Sequence, residues 1–341
     1  MYTPQGIIHV TGEPDTGKTL LALTAFHPKK VAYFFDDVKR PPIDDKEFGL
    51  FIDLVEKYSS LKMLEFYKAF IAEVNKIKDN QYDAIVFDTW ARIGKSIRYY
   101  AKANPLEFRE GATFSRQGTI KGMEEWSETH RVESDVISAL SRKCKALFLI
   151  THIKPQIKAG VQTGTFEPDC GKSFERICNM RLWLRHNPES GVPISLVLKR
   201  LSKVEVTKTG VVPVNVLPRK LVPQKENSSV WDVINHYWDN PVGNREPLPD
   251  EIPNDFELSI LDGILTDSQK EMWQAELRER ERQEKEEAEM FEAQLAIIKQ
   301  EAINLAAQIT APLPVKVSQV YNELIKEYPN ISYDDIERML K

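Results

Sequence analysis

Residues 12–19 read Gly12-Glu13-Pro14-Asp15-Thr16-Gly17-Lys18-Thr19, with two glycines, a lysine and a threonine at a fixed spacing. The apolar run Gly6-Ile7-Ile8-His9-Val10 leads in and Leu20-Leu21-Ala22-Leu23 leads away, so the local order is strand, loop, helix. That order is a strong constraint on the fold, because such a unit belongs to a sheet covered by helices. Glycine lets the backbone turn its N–H groups inward, and the helix start adds the positive end of its dipole. Together they form a cradle for phosphate oxygens. Lys18 in such a cradle reaches the β- and γ-phosphates of a nucleotide, and the Thr19 hydroxyl is a ligand for Mg²⁺. Gly12, Glu13, Pro14, Asp15, Thr16, Gly17, Lys18, Thr19 and Leu20 are therefore the expected binding segment for ATP or GTP with Mg²⁺.

The chain has 341 residues, 42% of them hydrophobic, enough for one large core with appended elements. A mean hydropathy of −0.40 and the lack of an apolar run of membrane-spanning length predict a soluble protein without a membrane partner. The first strand follows at once, without a signal-peptide pattern, and Cys144, Cys170 and Cys178 lack metal-ligand spacing; a reducing, cytoplasmic setting is expected. The formal net charge of −5 excludes a uniformly basic nucleic-acid coat. Lys270 to Glu301 contribute −4 of it, so the remainder is near neutral and leaves room for local basic loops.

Short apolar runs at Gly6–Val10, Lys30–Phe35, Ala84–Phe87, Ala146–Ile150 and Met180–Leu184 predict an α/β fold with a mostly parallel sheet covered on both faces. Further along, Ile194–Leu198, Val204–Thr207 and Val211–Leu217 are expected to complete the sheet edge as antiparallel strands. Ser229 is placed to cap a short helix carrying Trp231, Ile234, Tyr237 and Trp238, and Pro241, Pro247, Pro249 and Pro253 then mark a linker. Ser268 and Glu271 have capping-box spacing, and no Gly or Pro interrupts the chain from there to Ile309. A long helix is predicted, solvated over 278–289, with an apolar stripe from Phe291 through Leu305. Two short helices follow, about Val315–Glu327 and Tyr333–Leu340, the second capped by Ser332 or Asn330. The expected organisation is an ATPase core over 1–222, a capping helix and Pro-rich linker over 223–262, a long charged helix over 263–309 and a small helical module over 310–341.

Ala84-Ile85-Val86-Phe87-Asp88 is an apolar strand ending in an acid. Beside a P-loop, a carboxylate at that tip holds the Mg²⁺ water shell, which makes Asp88 the second metal residue after Thr19. Thr89 follows it, where AAA+ proteins usually place a catalytic Glu, so the base must come from elsewhere. The strand Val31–Phe35 ends in Asp36-Asp37, and Ala146–Ile150 ends in Thr151-His152. From Ile153 to Lys172 the chain carries Lys154, Lys158, Gly160, Gly164, Phe166 and Gly171, with too little apolar periodicity for an element. It reads as a long loop whose amides, lysines and aromatic ring suit a phosphate chain and a stacked base. After Asp88, Arg92, Lys95, Arg98 and Lys102 are interleaved with Tyr99 and Tyr100.

Taken together, the P-loop, the Asp88 strand, the acid pair and the strand ending in His152 resemble the RecA-like P-loop ATPases of the phage type, the group that includes single-strand annealing and recombination ATPases. The resemblance covers residues 1 to about 222. It implies that Asp36 or Asp37 polarises the attacking water and that His152 senses the γ-phosphate and signals to a DNA-binding loop. It places Lys154, Lys158 and Phe166 in the second DNA-binding loop and Arg92 and Lys95 in the first. It implies that Lys199 and Arg200 serve the nucleotide of a neighbouring subunit in a ring or filament, with Lys203 beyond them. The implied function is Mg²⁺-dependent ATP hydrolysis coupled to single-stranded DNA binding in recombination, annealing or replication, in a bacterial or phage-infected cytoplasm. A ring-forming helicase, loader or packaging motor shares every nucleotide residue. A nucleotide-switched scaffold, binding a protein partner through 263–341, is the alternative of another class.

Overall fold

The computed structural model describes residues 2–37, 39–104, 123–158, 161–171, 173–186, 191, 193–207, 210–223, 229–243, 252–328 and 331–340. The chain divides into two compact units, Met1–Asp267 and Ser268–Lys341.

In the first unit, β1 (Gly6–Gly12) passes through the P-loop into α1 (Lys18–Leu23). Next come β2 (Val31–Phe35), β3 (Leu50–Asp53), α2 (Leu54–Tyr58), α3 (Met63–Asn75), β4 (Ala84–Asp88), α4 (Trp90–Ala103) and α5 (Met123–Ser141). The second half runs β5 (Ala146–Lys158), β6 (Val161–Pro168), α6 (Ser173–Ile177), β7 (Met180–His186), β8 (Pro193–Lys199), β9 (Ser202–Thr207), β10 (Gly210–Asn215), β11 (Lys220–Leu221), α7 (Val230–Asp239) and α8 (Asp255–Leu261). Among the described residues the main sheet has the order β11-β8-β7-β1-β5-β4-β2-β3. From β3 to β7 every pairing is parallel, and β8 and β11 add an antiparallel edge. Strand alternation sorts the core into two layers. Ile8, Val10, Phe148, Ile150, Leu182 and Leu184 pack with Leu21, Trp231 and Ile234 on one face. Ile7, Phe34, Phe87, Leu147 and Leu149 pack with Phe66, Phe70, Trp90, Ile97 and Ile137 on the other. The mostly parallel α/β core, the long charged helix and the small helical module are all present.

The structure departs from the sequence analysis in five places. Leu50–Asp53 forms an unpredicted edge strand, hidden in the sequence because its apolar run continues into the Leu54 that opens α2. The segment after His152 is a hairpin and not a loop: β5 continues to Lys158 and pairs antiparallel with β6 across a bulge between Pro155 and Ile157. Backbone hydrogen bonds, rather than a buried apolar face, hold such a ribbon, so apolar periodicity gave no sign of it. β9 and β10 form their own two-stranded sheet, and β11 completes the main edge instead. The region after Pro241 contains α8, whose Leu258 and Leu261 are buried and whose buried Glu257 sits 2.9 Å from Lys220 and 3.6 Å from Arg185. Pro247 and Pro249 lie outside the described residues. Finally, the long helix begins at Asp267, so Ser268 lies inside its first turn and does not cap it.

In the second unit, α9 (Asp267–Gln308) is exposed along its charged middle, as its composition predicts. Its Ile298 and Ala302 pack against Val317, Val320 and Leu324 of α10 (Leu313–Leu324) and Ile336 of α11 (Tyr333–Leu340). Ser332 caps α11 by accepting the Asp335 N–H at 3.2 Å, and Asn330 lies outside the described residues. Among the described residues no helix is long and apolar enough to cross a membrane.

Candidate nucleotide site

The parallel strands deliver their carboxyl ends to one edge of the sheet, where open α/β sheets bind ligands. Gly12 is in register with His152, and Asp88 with Phe35 and Ile150. The glycines are required by the backbone. A Cβ on Gly12, at φ +151, would lie 2.1 Å from the Leu184 carbonyl oxygen, and Gly17, at φ +84, is the left-handed residue that starts α1. Thr16 Oγ1 donates to the Glu13 carbonyl at 2.9 Å, and the Lys18 ammonium donates to the same carbonyl, which closes the loop on itself. Burial lowers the Lys18 pKa against the pull of Asp88 and Asp37. Asp15 meets Lys39 at 2.9 Å at the surface, and Leu20 is exposed.

Asp88 is the focus of the site. Thr19 Oγ1 donates to its Oδ2 at 2.5 Å, and the Tyr33 hydroxyl donates to the same oxygen at 3.0 Å. Burial raises the Asp88 pKa, and these two donors oppose the rise. Tyr33 was not foreseen, since in Val-Ala-Tyr-Phe-Phe it looks like one more core aromatic and only the fold aims its hydroxyl.

Asp36 and Asp37 part company because successive residues at a strand end point to opposite faces. Asp36 turns into the layer below α4. Arg92 Nη1 donates to its Oδ1 at 3.0 Å, Arg92 Nη2 donates to the Tyr58 carbonyl at 2.9 Å, and the guanidinium stacks 3.9 Å from the Phe66 ring centre. Burial pushes the Asp36 carboxyl up to about 6 despite Arg92. Asp37 turns toward the P-loop, where His152 Nε2 donates to its Oδ2 at 2.8 Å. Asp37, His152, Lys18, Thr19 and Asp88 thus gather at the same edge.

A carboxyl with its folded pKa raised to about 6 binds a proton between pH 4 and 6 that the unfolded chain has already released. Its contribution to stability is therefore largest at low pH and is lost as pH rises through 6. The expected size is about 3 kcal/mol, from the shift at 1.36 kcal/mol per unit. Melting of the wild type and Asp36→Asn from pH 4 to 7 checks this, because the difference between them should change over that window and be flat above it.

The remaining predicted residues lie elsewhere. Lys95 is exposed on α4, while Arg98 is held at 2.6 Å by buried Glu133. On the hairpin, Lys154 lies 3.3 Å from Asp169 and 3.7 Å from Glu167, and Phe166 is 39% exposed. The Lys158 side chain, Gly160 and Lys172 lie outside the described residues. Because β8 runs antiparallel to β7, Lys199 is in register with Arg181, toward the end of the sheet away from the P-loop. Its Nζ donates to the carbonyls of Glu175 at 2.8 Å and Arg176 at 3.1 Å. Arg200 follows it, and neither residue belongs to the chain's own nucleotide edge.

No protein-family model matches this chain. No curated protein matches it either. Among solved structures, it is similar to the crystal structure of the RadB recombinase, with 16% identity and a TM-score of 0.36, over 62% of this chain and 91% of that one.

Proposed function

We propose that this protein is a RecA-like ATPase that hydrolyses ATP with Mg²⁺ and couples the reaction to single-stranded DNA in recombination, annealing or replication. The observation that carries the nucleotide half is the convergence of a P-loop, the Thr19–Asp88 pair and the Asp37–His152 pair on one sheet edge. Thr19 Oγ1 and Asp88 Oδ2, hard oxygens joined by a hydrogen bond beside the P-loop, are the donor type that suits Mg²⁺; Thr19 would bind the ion and Asp88 would hold its water shell. Mg²⁺ held there would supply charge neutralisation at the phosphate oxygens. Lys18 adds its own charge at the β- and γ-phosphates. Asp37 accepts a proton from the water that attacks the γ-phosphorus, and the bond to the bridging oxygen breaks to give ADP and phosphate. His152, already bonded to Asp37, orients that carboxylate and registers the γ-phosphate. Lys199 and Arg200, remote from their own P-loop, would serve the nucleotide of a neighbouring copy in a ring or filament.

The hairpin supports the DNA half, because its first strand is the same β5 that carries His152. Lys95 and Lys154 supply charge, and Phe166 supplies an exposed ring. The ion pairs of Lys154 are half exposed, and such surface pairs exchange readily for a nucleic-acid phosphate. Neutralising Lys154 should weaken single-stranded DNA binding and flatten its salt dependence by about one counterion per lost phosphate contact. Fluorescence anisotropy over a salt series reads this, and an unchanged slope would leave Lys154 in a purely local ion pair. A protein-contact role for residues 263–341 has its own support, since Met290 and Phe291 stand 70% and 61% exposed on α9.

A further inference from the structure

We propose that His9, on the P-loop strand but outside the phosphate cradle, is a positioning residue that ties both roots of the β5–β6 hairpin to the Asp37–His152 pair; this rests on the reading of the site given above.

His9 is fully buried within the sheet, at a position where its neighbours Ile7, Ile8 and Val10 make an apolar side chain the default. Its polar contacts form a chain with one direction. Arg181 Nε donates to His9 Nδ1 at 3.3 Å, so the ring proton sits on Nε2, which donates to Thr151 Oγ1 at 2.8 Å. Thr151 donates to Thr11 Oγ1 at 3.1 Å, and Thr11 donates to the His152 carbonyl at 3.3 Å. The other end of His152 is the bond to Asp37. Burial and the Arg181 charge hold the His9 pKa well below its usual value, which keeps the ring in the neutral form that the chain needs.

On its other side His9 meets the far root of the hairpin. Its ring stands edge-on to Phe174 in α6, the first helix after β6, with centroids 5.0 Å apart, and Arg181 Nη1 lies 3.9 Å from Glu175 of the same helix. Thr151 is upstream of the hairpin and Phe174 downstream, so a shift of either root is felt at His9. A polar chain through a sheet interior is unfavourable unless every link is made, and this one is complete. Its end point at His152 gives it a task beyond stability, namely to fix the stretch of β5 that aims His152 at Asp37.

The test uses the full-length chain, with ATP turnover measured with and without single-stranded DNA. His9→Phe keeps a ring against Phe174 but breaks the chain, and His9→Gln keeps a donor. In His9→Phe, kcat should fall by about tenfold or more, the scale of a small misplacement of reacting groups. KM for ATP should stay within about twofold, as for a loss confined to the transition state. Stimulation by DNA should shrink toward none. His9→Gln should recover much of the loss, and Thr151→Val should repeat it without touching His9, which keeps the test intact should His9→Phe fail to fold. Wild-type kcat and stimulation in both His9→Phe and Thr151→Val, or a His9→Gln as slow as His9→Phe, would overturn the proposal. A wild type without ATP turnover overturns the hydrolase reading and this proposal with it. A wild type that turns over ATP but ignores DNA removes the hairpin coupling, while the kcat effect still decides the positioning role.

Discussion

Lys18→Ala is expected to lower ATP turnover by about 10³-fold or more, the upper range for loss of one preorganised charge at a transferring phosphoryl group. The effect is large because the lysine is buried in the loop and bonded to the Glu13 carbonyl, with no exposed cation of the loop to replace it. The melting temperature should change by a few degrees at most. Burial already lowers the Lys18 pKa, so its charge is not a source of stability for the fold. Phosphate release and differential scanning fluorimetry check the two halves separately. Undiminished turnover would remove the P-loop from the mechanism.

Asp37→Asn and Asp36→Asn should separate sharply. Asp37 faces the P-loop and holds His152, so its amide variant should lose roughly 10²-fold or more in hydrolysis while ATP affinity is retained, as for loss of a general base. Asp36 is bound to Arg92 beneath α4 and faces no reacting group, so Asp36→Asn should stay within a few-fold of wild type. Its signature is the pH dependence of stability described above. Isothermal titration with a slowly hydrolysed ATP analogue, alongside single-turnover hydrolysis, distinguishes the roles. A reversal of the two variants would exchange base and structural carboxylate.

The P-loop and the Asp88 strand were legible because phosphate binding imposes residue types at fixed spacing, and because a buried strand must be apolar up to its tip. The same logic found five of the parallel strands and the helices α1, α7, α9, α10 and α11, but not α2–α6 or α8. What the sequence left open was whatever depends on direction in space. Asp36 and Asp37 are chemically identical neighbours, and only the strand's pleat sends one to Arg92 and the other to His152. Arg92 has the composition of a DNA contact but is turned inward onto Asp36 and Phe66. The hairpin after His152 is held by backbone pairing that leaves no side-chain period to read. Tyr33 and His9 stand in apolar runs where nothing local marks their polar atoms as bonded across strands.

The most direct measurement is phosphate release from ATP by the purified full-length chain, in Mg²⁺ and in EDTA. The account predicts steady release in Mg²⁺ that falls to background in EDTA, because Thr19 and Asp88 have the donor set of a Mg²⁺ site beside the phosphates. No release in Mg²⁺, or equal release in EDTA, would contradict it.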